Sequence, residues 1–251
     1  MAAPVSGVVG RRLAWRMYVR LFAFQGSWNY ETMVGAGLAY VLGPVLRAIH
    51  GAEEADRASL RHAHFFNAHP YLAGVAAGAL ARMEAEGVEQ DVQSRFKVAL
   101  RGALGAIGDQ LVWAGWRPFC LLLALVAALL GAPWWLVVAG FLALYNLGHL
   151  ALRAWGLAIG LEEGAGVARR LRDPWLSRAQ GRLATAATFL AGLAAPLAAS
   201  AFGPGREVPA MLPAALLAAI GGAALGVRIR AAAALTLGLI VLVILLTGGG
   251  Q

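Results

Sequence analysis

Along this chain, apolar and polar residues fall into long blocks rather than a close alternation. Leu183–Gly205, Val208–Val227 and Ala231–Gln251 carry no charged side chain. Each is long enough to cross a bilayer core, which takes about 20 residues of helix. Pro118–Leu152 also lacks any acid or base, but Gly131-Ala132-Pro133 cuts it into halves shorter than a straight span. Two arrangements fit that run. One is a pair of broken helices whose ends meet near the bilayer midplane; the other is a helical hairpin turning at Gly131–Pro133 and packed inside protein. Charged residues collect between the apolar blocks, at 51–62, 82–95 and 162–182, where solvated loops and helices account for them. The pattern predicts an all-α, polytopic membrane protein with short, broken and re-entrant helices plus three C-terminal transmembrane spans.

The N-terminal half is more mixed. Arg11, Arg12, Arg16 and Arg20 surround Trp15, Met17 and Tyr18, which predicts a short helix lying at a membrane surface. No signal-peptide pattern appears, so residues 1–20 read as a cytoplasmic lead-in. Leu21–Leu46 contains a single charge, Glu31, and a polar row from Gln25 through Gly26, Ser27 and Trp28 to Asn29. That is too polar for a lipid-facing span. It predicts a helix pair or re-entrant segment that buries Glu31 against protein and that ends or bends at Gly43-Pro44. His62-Ala-His-Phe-Phe-Asn-Ala-His-Pro-Tyr71 leads into Leu72–Ala81, where Gly74 and Gly78 stand at the spacing for close helix approach. His62 and His64 lie on different helix faces with no cysteine near, which argues against a metal. Asn67 and His69 precede Pro70, where a helix can start with unpaired backbone donors, and they read as a polar binding position.

Composition sharpens the membrane reading. Of 251 residues, 60% are hydrophobic and 14% charged, against about 25% charged in soluble domains; the mean hydropathy is +0.67. The net charge is +8, and arginine supplies all the basic residues except Lys97. In a soluble chain that balance would suggest nucleic acid; here apolar spans flank the clusters closely and the positive-inside rule accounts for them. Taking Arg169, Arg170, Arg172, Arg178 and Arg182 as cytoplasmic, the first C-terminal span exits and the second returns. Arg228 and Arg230 then lie in the cytoplasm, and the third span leaves Gln251 outside. Both clusters give the same orientation. Cys120, the sole cysteine, excludes an internal disulfide and reads as a small hydrophobe.

The stretch Gly102–Pro118 holds an acid, Asp109, in an otherwise uncharged apolar run up to Arg117. A carboxylate there is costly in lipid and must face protein or water. Gly102, Gly105 and Gly108 form a stripe without side chains on one helix face, open to a second backbone. Tyr145, Asn146, His149, Arg153, Trp155 and Gly156 follow in the next apolar run at spacings of three and four, which share a helix face.

Four motifs in register carry a family resemblance across roughly residues 20–185. They are Phe24-Gln-Gly-Ser-Trp-Asn-Tyr-Glu-Thr-Met33, Phe65-Phe-Asn-Ala-His-Pro-Tyr71, Gly105-Ala-Ile-Gly-Asp-Gln-Leu-Val-Trp113 with Arg117-Pro118, and Asn146 through Gly156. Together they resemble the IID component of the mannose/fructose/sorbose family of phosphoenolpyruvate-dependent sugar phosphotransferase systems. The resemblance implies a single membrane-embedded IID domain over 1–251: a lead-in (1–20), a motif-bearing core (21–160), a basic segment (161–182) and C-terminal spans (183–251). It implies residence in the cytoplasmic membrane, pairing with a IIC membrane subunit to form the sugar permease, and higher oligomers of IIC–IID pairs. IIA and IIB phosphocarrier domains would relay phosphate to the hexose, with no phosphorylated residue, cofactor or metal on this chain. Gly26, Asn29, Pro70, Gly105, Gly108, Arg117, Pro118, Asn146, Arg153 and Gly156 are its structural motif positions. His149 stands where arginine is common in the family, and Val112 where phenylalanine is. The connection around Phe202–Met211 is shorter than in many members, so a non-transporting assembly or regulatory subunit is the alternative.

A neutral hexose needs carboxylates or amides for its hydroxyls and a flat aromatic surface for its C–H faces. Glu31, Asn67, His69 and Asp109, with Trp28 and Trp113, supply that chemistry and are the candidate substrate-binding residues. The competing role for the acids is structural: Asp109 paired with Arg117, or Glu31 with His69, holding re-entrant turns. Core packing is the competing role for Trp113. An enzyme reading finds no nucleophile–base pair or metal spacing.

Overall fold

The computed structural model describes residues 9–202; the second and third C-terminal spans lie outside them. The described residues are helical: α1 Arg11–Arg20, α2 Gly35–His62, α3 Ala73–Ala85, α4 Gln90–Gly108, a π-helical stretch Asp109–Trp116, α5 Arg117–Leu129, α6 Trp134–Glu163, α7 Val167–Leu171 and α8 Pro174–Phe202. The chain divides into two compact units. Among the described residues, one comprises 9–110 with Leu147–Leu176, the other Leu111–Asn146 with 177–202.

The first unit is built around α3. Eleven of its thirteen residues are buried, as an almost uniformly apolar helix requires. Gly74 and Gly78 face the second half of α6, and Gly156 and Gly160 face back. A Cβ at Gly74 would stand 2.9 Å from the Arg153 carbonyl oxygen, and one at Gly160 would collide with the Val75 carbonyl. Two small-residue pairs thus let the helix backbones touch. Met17, Leu21, Phe24, Leu38, Leu42, Leu46 and Leu80 complete the core.

The α1 helix forms over the expected residues 11–20 and packs on α2. At Gly43-Pro44, where an end or a bend was expected, the helix does not end: α2 runs through both residues. Proline lacks the N–H that would bond the carbonyl four residues back, here that of Tyr40. Arg20 replaces it: its Nη1 donates to the Tyr40 oxygen at 2.7 Å, and its guanidinium lies 4.4 Å from the Tyr40 ring centroid. Gly43 leaves room for that side chain, since a Cβ there would stand 2.9 Å from Arg20 Nη1. The break in α2 comes instead at Gly51, whose φ of 75° is open chiefly to glycine.

In the second unit, the uncharged run resolves into α5, a turn at residues 130–133 and the start of α6. Gly131 turns with φ 87°. Pro118 sits in the first turn of α5, directly after the π-helical stretch and within the continuous helical run Gln90–Leu129. Val126 packs with Leu190 and Ala194 of α8, beside Phe119, Leu122 and Leu193. Trp134, Trp135, Leu136, Val138 and Leu142 are exposed, an apolar face of the kind that meets lipid or another chain. Two helical runs, Gln90–Leu129 and Trp134–Leu171, are long and apolar enough to cross a membrane. The residues of the first expected C-terminal span fall largely within α8, up to Phe202.

Candidate functional site

The first two sequence motifs form adjoining loops in the first unit. The loop that precedes α2 is folded by Asn29, whose Oδ1 accepts the backbone N–H groups of Glu31 at 2.9 Å and Thr32 at 2.8 Å. This is a side-chain turn that asparagine forms readily. Met33 closes it with φ 54°, a left-handed conformation unusual for a side chain of this size and typical of sites where surrounding structure imposes strain. Asn29 pairs with Met33, and Met33 with Phe66 of the second loop. The Val34 N–H donates to the Phe66 oxygen at 3.0 Å, and the Phe66 N–H to the Thr32 oxygen at 3.2 Å. Gly35 and Gly37 sit directly beneath, against the carbonyls of Ala63 and His64 and of Phe24.

These contacts leave Glu31, Trp28 and Asn67 exposed, with the Trp28 and Tyr30 rings edge to face at 4.7 Å. Glu31 was expected to be buried against protein; on this chain alone it is exposed. Asn29 satisfies the turn's backbone, so the fold places no demand on the Glu31 carboxylate. That carboxylate has no partner among the described residues, and the Glu31–His69 pair does not form.

His69 is buried. It lies against Gly108, where any Cβ would strike its ring. Its Nδ1 accepts the Tyr71 N–H at 3.2 Å, so the neutral ring carries its proton on Nε2. Burial lowers the His69 pKa to about 4; the Asp109 carboxylate opposes the shift and Arg153 reinforces it. Tyr71 stacks on His149 at 5.0 Å. Arg153 lies about as close to the Tyr71 ring, at 5.0 Å, and 5.1 Å from that of Phe22, and it donates to the Leu21 carbonyl. Asp109 opens the π-helical stretch directly after Gly108, an irregularity common at functional positions, and it too is exposed. Among the described residues the glycine stripe is only partly used: Gly108 seats His69, while Gly102 and Gly105 meet nothing within 4 Å.

Of the predicted positions, Trp113, Arg117, Pro118 and Asn146 belong to the second unit. Trp113 is exposed, with the Arg117 guanidinium 5.1 Å from its ring. Asn146 is exposed and donates to the Leu142 carbonyl at 2.6 Å within its own helix.

One cluster runs against the expectation of a merely solvated segment at 82–95. Glu84 is buried, and its two oxygens take hydrogen bonds from Nε2 of His50 at 2.8 Å and of His62 at 2.9 Å. Arg61 lies 3.7 Å away. A carboxylate only accepts, so both rings donate. Burial alone would raise the Glu84 pKa, but the hydrogen bonds from His62 and His50 hold it down to about 2. Burial pushes His62 below its ordinary value and keeps it neutral. Lys97 of α4 donates to the carbonyls of His62 at 3.0 Å and Arg61 at 3.4 Å, capping the end of α2. The sequence signal was helical spacing: three, four and seven residues before Glu84 stand Ala81, Leu80 and Ala77, all apolar. Among the described residues, no group of three His, Cys, Asp or Glu side chains is placed to hold a metal ion.

The family model of the mannose/fructose/sorbose family IID component of the phosphotransferase system matches residues 9–199. The chain belongs to that IID family. It is 32% identical over 169 residues to the mannose-specific EIID component of Escherichia coli K12, covering 64% of this chain and 59% of the relative. It is 31% identical over 157 residues to the fructose permease IID component of Bacillus subtilis, covering 59% and 55%. The match to this IID chain thus spans less than two thirds of either relative. Among solved structures it is similar to a chain of the mannose transporter ManYZ in complex with microcin E492, with TM-score 0.56, 28% identity and coverage of 74% and 70%. A second, described as a membrane protein, gives TM-score 0.66 at 27% identity with the same coverage. As a IID family member this is a membrane protein, consistent with its two long apolar helical runs.

Proposed function

We propose that this chain is the IID subunit of a mannose-family sugar permease. With a IIC subunit it forms the translocation path, and it delivers hexose to IIB for phosphorylation on the cytoplasmic side. Phosphoryl transfer resides on IIA and IIB, the N-terminus lies in the cytoplasm, and IIC–IID pairs assemble into higher oligomers. The observation that carries the reading is the pairing of Met33 with Phe66, in a chain of this family. It joins two polar motif loops that leave the Glu31 carboxylate and the Asn67 amide exposed.

Glu31 and Asp109 are exposed on the single chain, so their shelter comes from IIC and a hydrated cavity. A carboxylate, the Asn67 amide and the Trp28 ring are the groups a neutral sugar requires. His69, neutral and seated on Gly108, positions the segment beside Asp109. The test is Asp109→Asn in the IIC–IID complex. A sugar-binding role predicts uptake lost with the complex intact. Loss of the complex itself assigns Asp109 to assembly, and unchanged uptake removes it from the site.

A further inference from the structure

The geometry points to a second binding site, for the phosphate headgroup of an anionic phospholipid, in a cavity of about 420 Å³ between α1 and α2. Every charged side chain lining it is an arginine: Arg16 and Arg20 from α1, Arg47 from α2. Arg20 is committed to the Tyr40 carbonyl and ring. Arg16 and Arg47 are exposed and make no hydrogen bond or ion pair among the described residues, so two guanidinium forks of the kind that grip phosphate oxygens are unspent. The other walls separate the chemistry further. Trp15 and Tyr40, 64% and 48% exposed, are amphipathic rings of the type found at headgroup depth. Val19 and Pro44 give an apolar floor for the first acyl carbons. A free phosphate would use the arginines and leave these apolar walls unmatched; a phospholipid uses both. The site is separate from the transport reading, since none of its residues is a candidate sugar contact.

The experiment is native mass spectrometry of the full chain in mild detergent, titrated with phosphatidylglycerol and with phosphatidylcholine. Inorganic phosphate is added as a competitor in a second series. The wild-type chain should retain phosphatidylglycerol about tenfold more tightly than phosphatidylcholine, as expected for a few interfacial arginines. The preference should fall to near parity in Arg16→Gln/Arg47→Gln and persist in Arg11→Gln/Arg12→Gln, a pair on α1 outside the cavity. All four positions are exposed, so folding is not at stake. A preference unchanged in the first pair, or lost equally in both, would overturn the assignment. Displacement of the lipid by inorganic phosphate would also overturn it, in favour of a soluble anion.

Discussion

Pro44 takes one backbone donor out of α2, and Arg20 gives another to the carbonyl left behind. Arg20→Ala leaves that oxygen unpaired and removes the contact with Tyr40. It should lower stability by about 1–3 kcal/mol, read as an earlier thermal unfolding transition in detergent; Arg12→Ala, on the same helix, should leave the transition in place. Glu84 makes a stronger case. Glu84→Gln removes the charge that holds His50, His62 and Arg61, and should cost about 3 kcal/mol or more. The same cluster sets a pH dependence. His62 is held below its ordinary value of 6.5, so on acidification the unfolded chain takes up that proton before the folded one does, and stability declines as the pH drops below 6.5. Glu84, lowered from 4.5 to about 2, adds a further decline below 4.5. Both groups act in the same direction. Unfolding midpoints measured from pH 8 to pH 4 should fall on the acid side, and His62→Gln should flatten the upper part of that slope. At this scale the sequence was read best where structure follows from local spacing, as in the arginine-bearing helix over residues 11–20. It was read poorly where the partner lies far along the chain. Arg20 and Tyr40 are 20 residues apart and His50 and Glu84 are 34, and no periodicity connects them.

The seam between α3 and α6 is the element on which the first unit depends. Gly74 and Gly78 announced one side of it through their spacing alone. The other side was half visible, because Gly156 closes a motif while Gly160 belongs to none. A Cβ at Gly78 would stand 2.5 Å from the Leu157 carbonyl oxygen, so Gly78→Val requires the two backbones to separate. It should abolish folded protein or cost about 3 kcal/mol or more. Gly105→Val, on a face with nothing within 4 Å among the described residues, should leave the isolated chain folded. If Gly105 packs against IIC, that variant should fail in complex formation instead, which co-purification with IIC would reveal. The π-helical stretch from Asp109 to Trp116 was not legible, since apolar spacing does not distinguish a local widening of the helix from its regular form.

For the molecule as a whole, blocks of apolar residues and the arginine clusters were enough to place it in a membrane, and four motifs in register were enough to place it in the IID family. The two motif acids, expected to face protein or water, are both exposed on this chain. Composition says that a carboxylate in an apolar run needs shelter, but not whether its own chain or a partner provides it. On the proposed reading, Glu31 and Asp109, exposed on one chain beside loops already satisfied internally, are left for a partner to cover. The most direct measurement is uptake of labelled hexose by cells that carry IIA, IIB and IIC, with and without this chain. Uptake that requires the chain and is restored by supplying it is the predicted result; uptake of equal rate in its absence would contradict the permease account.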